Sequence, residues 1–230
     1  MNDLILNSTT AGVAISLLAY GAGIFLRRKT KSDICNPLLI SIVIVIVFLL
    51  IFRVDYDSYN KSAQYLSYLL TPATVSLAIP LYRQMDMLKK NLGAILLAVL
   101  AGVIASMGSI LVLSVAFGLT HPQYVTLLPK SITTAIGMGI SEELGGNVTI
   151  SVAVIIVTGV FGNMIIEPIC RLFRIKNPIS KGLAAGTASH AIGTAKAMEM
   201  GEIEGSMSSL AIVVSGLITV VCASIFARMY

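Results

Sequence analysis

Of 230 residues, 56% are apolar and only 12% charged, with the apolar ones gathered in long runs, so the chain reads as a polytopic membrane protein and not a soluble domain. No loop is long enough to fold alone, which predicts one integral domain over 1–230; the net charge of +5 lies in short loops, where it orients helices and does not bind nucleic acid. Cys35, Cys170 and Cys222 show no CxxC spacing, so neither a disulfide framework nor a metal site is indicated, and nothing calls for a cofactor.

Leu4 to Leu26 forms the first span. Asp3 replaces the basic start of a signal peptide, so this span is expected to be retained. Arg27, Arg28, Lys29 and Lys31 follow at once and place that end in the cytoplasm. Pro37 to Phe52 is nearly pure Ile, Val and Leu, and slightly short of the roughly 20 residues a crossing needs. Ser62 to Tyr82 contains Thr71-Pro72-Ala73-Thr74 and Pro80; proline removes a backbone donor and clashes with the preceding turn, so this span should be interrupted near Thr71-Pro72. Arg83, Lys89 and Lys90 return the chain to the basic side, and Leu92 to Leu119 crosses outward.

Residues 120–147 are too polar to face lipid: Lys130, Ser131, Thr133 and Thr134 are followed by Gly137, Gly139, Gly145 and Gly146. Val148 to Phe173 then leads into Arg171, Arg174, Lys176 and Lys181. A full crossing by 120–147 would deliver that cluster outside, so a re-entrant hairpin is expected instead. Lys181 to Met198 should cross outward, with Ser206 to Ala227 crossing back to end at Arg228 in the cytoplasm.

Lys181 to Met198 is the least ordinary of the apolar segments. Gly182, Gly186 and Gly193 admit a close neighbour, while Thr187, Ser189, His190, Thr194 and Lys196 bring polar groups to bilayer depth, where they require shielding by protein or a wet cavity. Gly182-x-x-x-Gly186 has two readings, a homodimer face or close packing around a helix break. Laid over Ala184 to Met200, Thr71 to Met87 matches without a gap: Thr74 falls on Thr187, Ser76 on Ser189, Arg83 on Lys196 and Asp86 on Glu199. The copies would run in opposite directions, an inverted repeat dividing the chain into about 1–118 and 119–230. The alternative is that small-residue membrane helices resemble one another by composition.

The segments TPATVSLAIPLYRQ, LPKSITTAIGMGI with its following GG, and GLAAGTASHAIGTAKAMEMGEIEGSMSSL resemble the LrgB/CidB family of bacterial membrane proteins across nearly the whole chain. Ala135 and Ala191 depart from the proline and glycine frequent there in the family. The resemblance implies a holin-like or antiholin-like modulator of murein hydrolases and autolysis, with a smaller membrane partner of the LrgA/CidA type. It also implies, through the plastid glycolate/glycerate translocator and bacterial pyruvate uptake, transport of small carboxylates.

A carboxylate needs positive potential and hydrogen-bond donors, both available at half-helix N-termini. Such ends are expected near Thr71-Pro72 and Gly186-Thr187, with Thr74, Ser76, Thr187 and Ser189 completing a cradle; singly, a membrane Ser or Thr bonds its own helix. Lys130, with Ser131, Thr133 and Thr134, is the candidate for direct charge pairing, or else it snorkels to the interface. His190 is a candidate for solute contact or a coupling proton, or is neutral helix glue. Glu142 and Glu167 are candidate gate or proton residues. No paired carboxylates, nucleophile with base or phosphate loop supports an enzyme.

The sequence thus reads as an all-helical, multi-pass protein of the cytoplasmic (inner or plasma) membrane, with six to seven spans, one re-entrant hairpin and an inverted repeat. A bundle carrying the broken helices would move, elevator-fashion, against a scaffold of Leu4–Leu26 and Pro37–Phe52. The expected solute is a small monocarboxylate, and the alternative is a regulator without transport of its own.

Overall fold

The computed structural model describes residues 10–30, 36–69, 72, 75, 78–83 and 85–230. Its helices in chain order are α1 (Ala11–Thr30), α2 (Pro37–Ile51), α3 (Tyr56–Ala63), a 3₁₀ helix (Gln64–Leu69), α4 (Ala78–Arg83), α5 (Met85–Phe117), α6 (His121–Leu127), α7 (Thr134–Glu143), α8 (Val148–Leu172), α9 (Pro178–Met200) and α10 (Glu202–Ala227). Among the described residues, four helices contain stretches long and apolar enough to cross a membrane: Ala11–Thr30, Lys89–Phe117, Val148–Leu172 and Glu202–Ala227, with Pro37–Ile51 a shorter apolar helix. They leave large apolar side chains uncovered, Leu97, Val157 and Leu217 among them. Lipid is the solvent that accepts such a surface. The chain divides into two compact units, 1–76 and 77–230.

In the first unit α1 packs through small residues. The Gly12 amide donates to Ser62 Oγ at 2.8 Å, Ser16 Oγ lies 2.7 Å from Tyr59 OH, and Gly23 abuts the Pro37 backbone. Asn36 caps α2 by accepting from the Leu38 and Leu39 amides. Thr71, Thr74 and Ser76, and with them the expected break at Thr71-Pro72, lie outside the described residues.

The second unit is built on α5, α8 and α10. At one end Arg83 pairs with Glu202 at 3.8 Å; at the other, Tyr124 OH donates to Phe226 O at 2.9 Å and Tyr230 OH donates to the Leu119 carbonyl. The first group marks a basic end, near Arg171, Arg174, Lys176 and Lys181. The second marks a carboxy-terminal end.

Residues 120–147 make a helical hairpin. At 1.5 Å per residue α6 and α7 are roughly 10 and 15 Å long, each far short of a bilayer core of about 30 Å. The turn between them holds through Lys130 N to Leu127 O (3.2 Å) and Ile132 N to Pro129 O (3.4 Å). α7 then runs back: the Asn147 amide donates to Thr126 Oγ1 at 2.8 Å, and Ser151 Oγ lies 2.7 Å from both Thr126 O and Ser141 Oγ.

α9 is a second hairpin. Its backbone leaves helical geometry at Ser189 (φ −136°, ψ 16°) and His190 (φ 42°, ψ −138°). On an unbroken helix Lys181 and Lys196 would stand about 22 Å apart; here both line one cavity, with Glu199 and Met200. Gly193 sits against the carbonyl of Ala185, eight residues earlier, at a separation that leaves no room for a Cβ. From Gly159 to Glu167 along α8 the partners advance from His190 to Lys196, so the second arm of α9 runs alongside α8 and the first arm runs against it.

This overturns the expected outward crossing by Lys181 to Met198. Since the stretch turns back, α10 starts at the end where α9 began and runs parallel to the first arm, Gly182 meeting Glu204 O and Gly186 meeting Ser208 O. Arg228 therefore lies at the opposite end of the unit from Arg83, not beside it. The Gly182-x-x-x-Gly186 face is filled by α10 of the same chain.

Candidate functional site

Between α5 and the first arm of α9 lies a cavity of ≈ 470 Å³, lined by Ala98, Gly102 and Ser106 of α5, Lys130 and Ser131 of the first hairpin's turn, and Ser180, Leu183, Ala184, Thr187 and Ala188 of α9. It runs from Ser180 near the basic end to Lys130 near the middle of the unit. Ala98, Gly102 and Ser106 are spaced by four and so share one face of α5. A Cβ at Gly102 would stand 2.7 Å from Thr187 Cγ2, which shows how closely the two helices approach.

Among the described residues, Lys130 is the only charged side chain in this lining. Its Nζ donates to Ser131 Oγ at 2.9 Å and to Ser106 Oγ at 3.2 Å, and the two hydroxyls lie 3.0 Å apart. Among the described residues no carboxylate lies within ion-pair distance of it. Thr187 is 8% exposed and its Oγ1 is buried without a hydrogen-bond partner among the described residues. Ammonium, serine hydroxyls and an unpartnered threonine hydroxyl, held on three separate elements, form a set of donors suited to a small anion. A compensating charge is what the buried side of Lys130 lacks.

Of the residues singled out in the sequence, Lys130, Ser131 and Thr187 come together here. Thr133 and Thr134 do not: they start α7, outside the cavity lining. Ser189 and His190 turn away toward α8, where Ser189 sits on Gly162 and the His190 ring sits on Gly159, its Nε2 lying 3.0 Å from Ile155 O. Glu142 is exposed at the end of α7. Glu167 pairs with Arg171 at 2.5 Å and Lys196 at 3.0 Å, outside the lining of this cavity. Ser106, Ser180 and Gly102 were not anticipated; Ala98, Gly102 and Ser106 are spaced by four, but small residues also stand at Gly93, Ala94, Ala101, Ala105, Gly108 and Ser109, so the span does not single them out.

A model of the LrgB-like family matches residues 16–229. The chain belongs to that family. Antiholin-like protein LrgB of Bacillus mycoides (strain KBAB4) is 40% identical to it over 216 residues, 94% of each chain, and the Bacillus cereus (strain B4264) and Bacillus anthracis (strain CDC 684 / NRRL 3495) proteins of the same name match equally. The Lys130 cavity and both hairpins lie inside the span matched to the LrgB-like family. No solved structure matches the chain.

Proposed function

We propose that this LrgB-like protein binds a small monocarboxylate, of the pyruvate or glycolate/glycerate class, at Lys130 and passes it across the cytoplasmic membrane. The observation that carries the reading is the Lys130 ammonium, without a carboxylate partner among the described residues, set among hydroxyls in a cavity to which the described residues bring no other charge. A single cation suits a single carboxylate, and Ser106, Ser131 and Thr187 supply donors for its oxygens. In this reading α5, α8 and α10 cross the bilayer, and the two hairpins enter from opposite faces, their tips meeting beside the site. Each hairpin is followed by one long helix, α8 or α10, running in opposite directions. That pattern supports an inverted repeat whose halves are 121–172 and 178–227, in place of the boundary near 118. The basic end, with Arg171, Arg174, Lys176 and Lys181, is cytoplasmic.

The test is uptake of labelled pyruvate, glycolate, glycerate and lactate into proteoliposomes holding the whole chain, with Lys130→Gln beside it. Saturable uptake of one acid, lost in the variant, is the expected result. No uptake, or uptake unchanged by Lys130→Gln, would sink the proposal.

The second reading is an antiholin-like regulator of murein hydrolase activity acting with an LrgA/CidA-type membrane partner. The relatives' name favours it, and on the comparisons alone it is the better supported of the two. Carboxylate passage and control of autolysis are compatible, because movement of an acid across the membrane changes the conditions under which hydrolases work. Deleting the gene and restoring it as Lys130→Gln separates them: restored autolysis control without uptake leaves the regulatory role standing alone.

A further inference from the structure

A second cavity, of ≈ 570 Å³, lies between the end of α8 and the base of the second hairpin and shares no lining residue with the Lys130 cavity. It is lined by five cationic side chains, Arg171, Arg174, Lys176, Lys181 and Lys196, and two carboxylates, Glu167 and Glu199, with Cys170, Ile175 and Met200 at its apolar wall. Glu167 is taken by Arg171 and Lys196, and Glu199 lies 3.4 Å from Lys196. Arg174, Lys176 and Lys181 have no carboxylate within ion-pair distance among the described residues.

Basic residues that merely orient a span can spread into solvent. Here they converge from α8, the connecting turn and both arms of α9 on one concavity. Arg174 is held by a left-handed backbone (φ 53°) at a turn closed by Arg174 N to Arg171 O (3.2 Å) and Ile175 N to Cys170 O (2.8 Å). Five cations against two carboxylates leave a positive surplus that an anion would offset, and the several acceptor oxygens of a phosphate group suit cations converging from different elements, guanidinium binding them in a forked geometry. Leu172 and Phe173, beside the cations, are 76% and 70% exposed and make an apolar rim at the end of a candidate span. Basic pockets in that position suit anionic headgroups.

We propose that this cavity binds a net-anionic phosphate group, carried by a membrane phospholipid or free in solution. Since both arms of α9 contribute to the lining, an occupant ties the base of the second hairpin to the end of α8. The site is independent of the carboxylate reading of the Lys130 cavity.

Thermal unfolding of the purified full chain in a neutral detergent tests it, with added phosphatidylglycerol, phosphatidylcholine or inorganic phosphate. At about a hundredfold excess over Kd the midpoint should rise by roughly 5 °C or more with phosphatidylglycerol. It should not rise with phosphatidylcholine. An equal rise with inorganic phosphate would make the free anion a ligand of the same site. Arg174→Gln with Lys181→Gln should abolish the rise; Lys89→Gln with Lys90→Gln, equally cationic but outside the cavity, should preserve it. A rise common to both lipids, no rise with either anion, or a rise undiminished in the Arg174/Lys181 variant overturns the proposal.

Discussion

The two hairpins of the second unit solve one problem, turning a chain back within a packed helical body, by different means. In the first, α6 and α7 stop at a turn that contains Pro129 and polar side chains, and the return ends at Gly145-Gly146. In the second, neither residue at the break is Gly or Pro: Ser189 and His190 leave the helix, the latter with a left-handed backbone that costs an ordinary residue about 1–2 kcal/mol. The neighbouring helix makes room. Gly159 and Gly162 of α8 receive the His190 ring and Ser189, Ile155 O meets the ring nitrogen, and Asn163 Nδ2 donates to Ile192 O at 2.7 Å. One turn is written locally in the chain, and the other is imposed by what it packs against.

The largest expected effect is all-or-none and concerns whether α9 turns back. With the native cysteines replaced, cysteines placed at Ser180 and Met229 should react with a membrane-impermeant maleimide from opposite sides of the membrane. Labelling from the same side would restore a straight crossing by α9.

Next in size is the site beside the first hairpin's tip. Lys130→Gln should weaken small-carboxylate binding at least tenfold, on the order of 1.5–3 kcal/mol for a charge-assisted hydrogen bond, as read by the concentration dependence of uptake. Full affinity in that variant would separate the tip from the solute.

Paired glycine substitutions contrast the two hairpins' packing. A Cβ at Gly162 would fall 1.7 Å from Ser189 Oγ and 2.6 Å from Ser189 Cβ, whereas one at Gly139 of α7 meets nothing within 4 Å. Gly162→Ala should lose about 1–3 kcal/mol by overpacking, and Gly139→Ala should be neutral or gain a few tenths from helix propensity. Chemical unfolding in detergent reads both. Equal effects would mean that the second tip is not seated on α8.

The smallest effect tests the left-handed residue itself. His190→Gly should be more stable than His190→Ala by about 1 kcal/mol, because both lose the ring contact to Ile155 and only glycine is relieved of strain. The reverse order would show that the backbone at 190 relaxes.

Much of the fold was legible in the sequence because lipid demands long apolar runs and short polar connections. Pro37–Phe52 and Val148–Phe173 each end one residue from the observed helix, and the fold-back of 120–147 followed from its polarity and from the basic residues around 171–181. Lys130, Ser131 and Thr187 stood out for the same reason, as polar groups in segments that should have none. A break in this segment was legible, but it lies at Ser189-His190 and not at the expected Gly186-Thr187, so Thr187 stays within the first arm and is not at a half-helix N-terminus. The reversal itself was not legible, since its cause lies on α8, some thirty residues away, where two glycines leave the space it occupies. Nor was Ser106 readable as Lys130's partner, because that pairing depends on the first hairpin reaching the middle of α5. Burial in lipid acts residue by residue and so leaves its mark in composition; the seating of a turn against another helix acts between distant residues, and only the packed structure decides it.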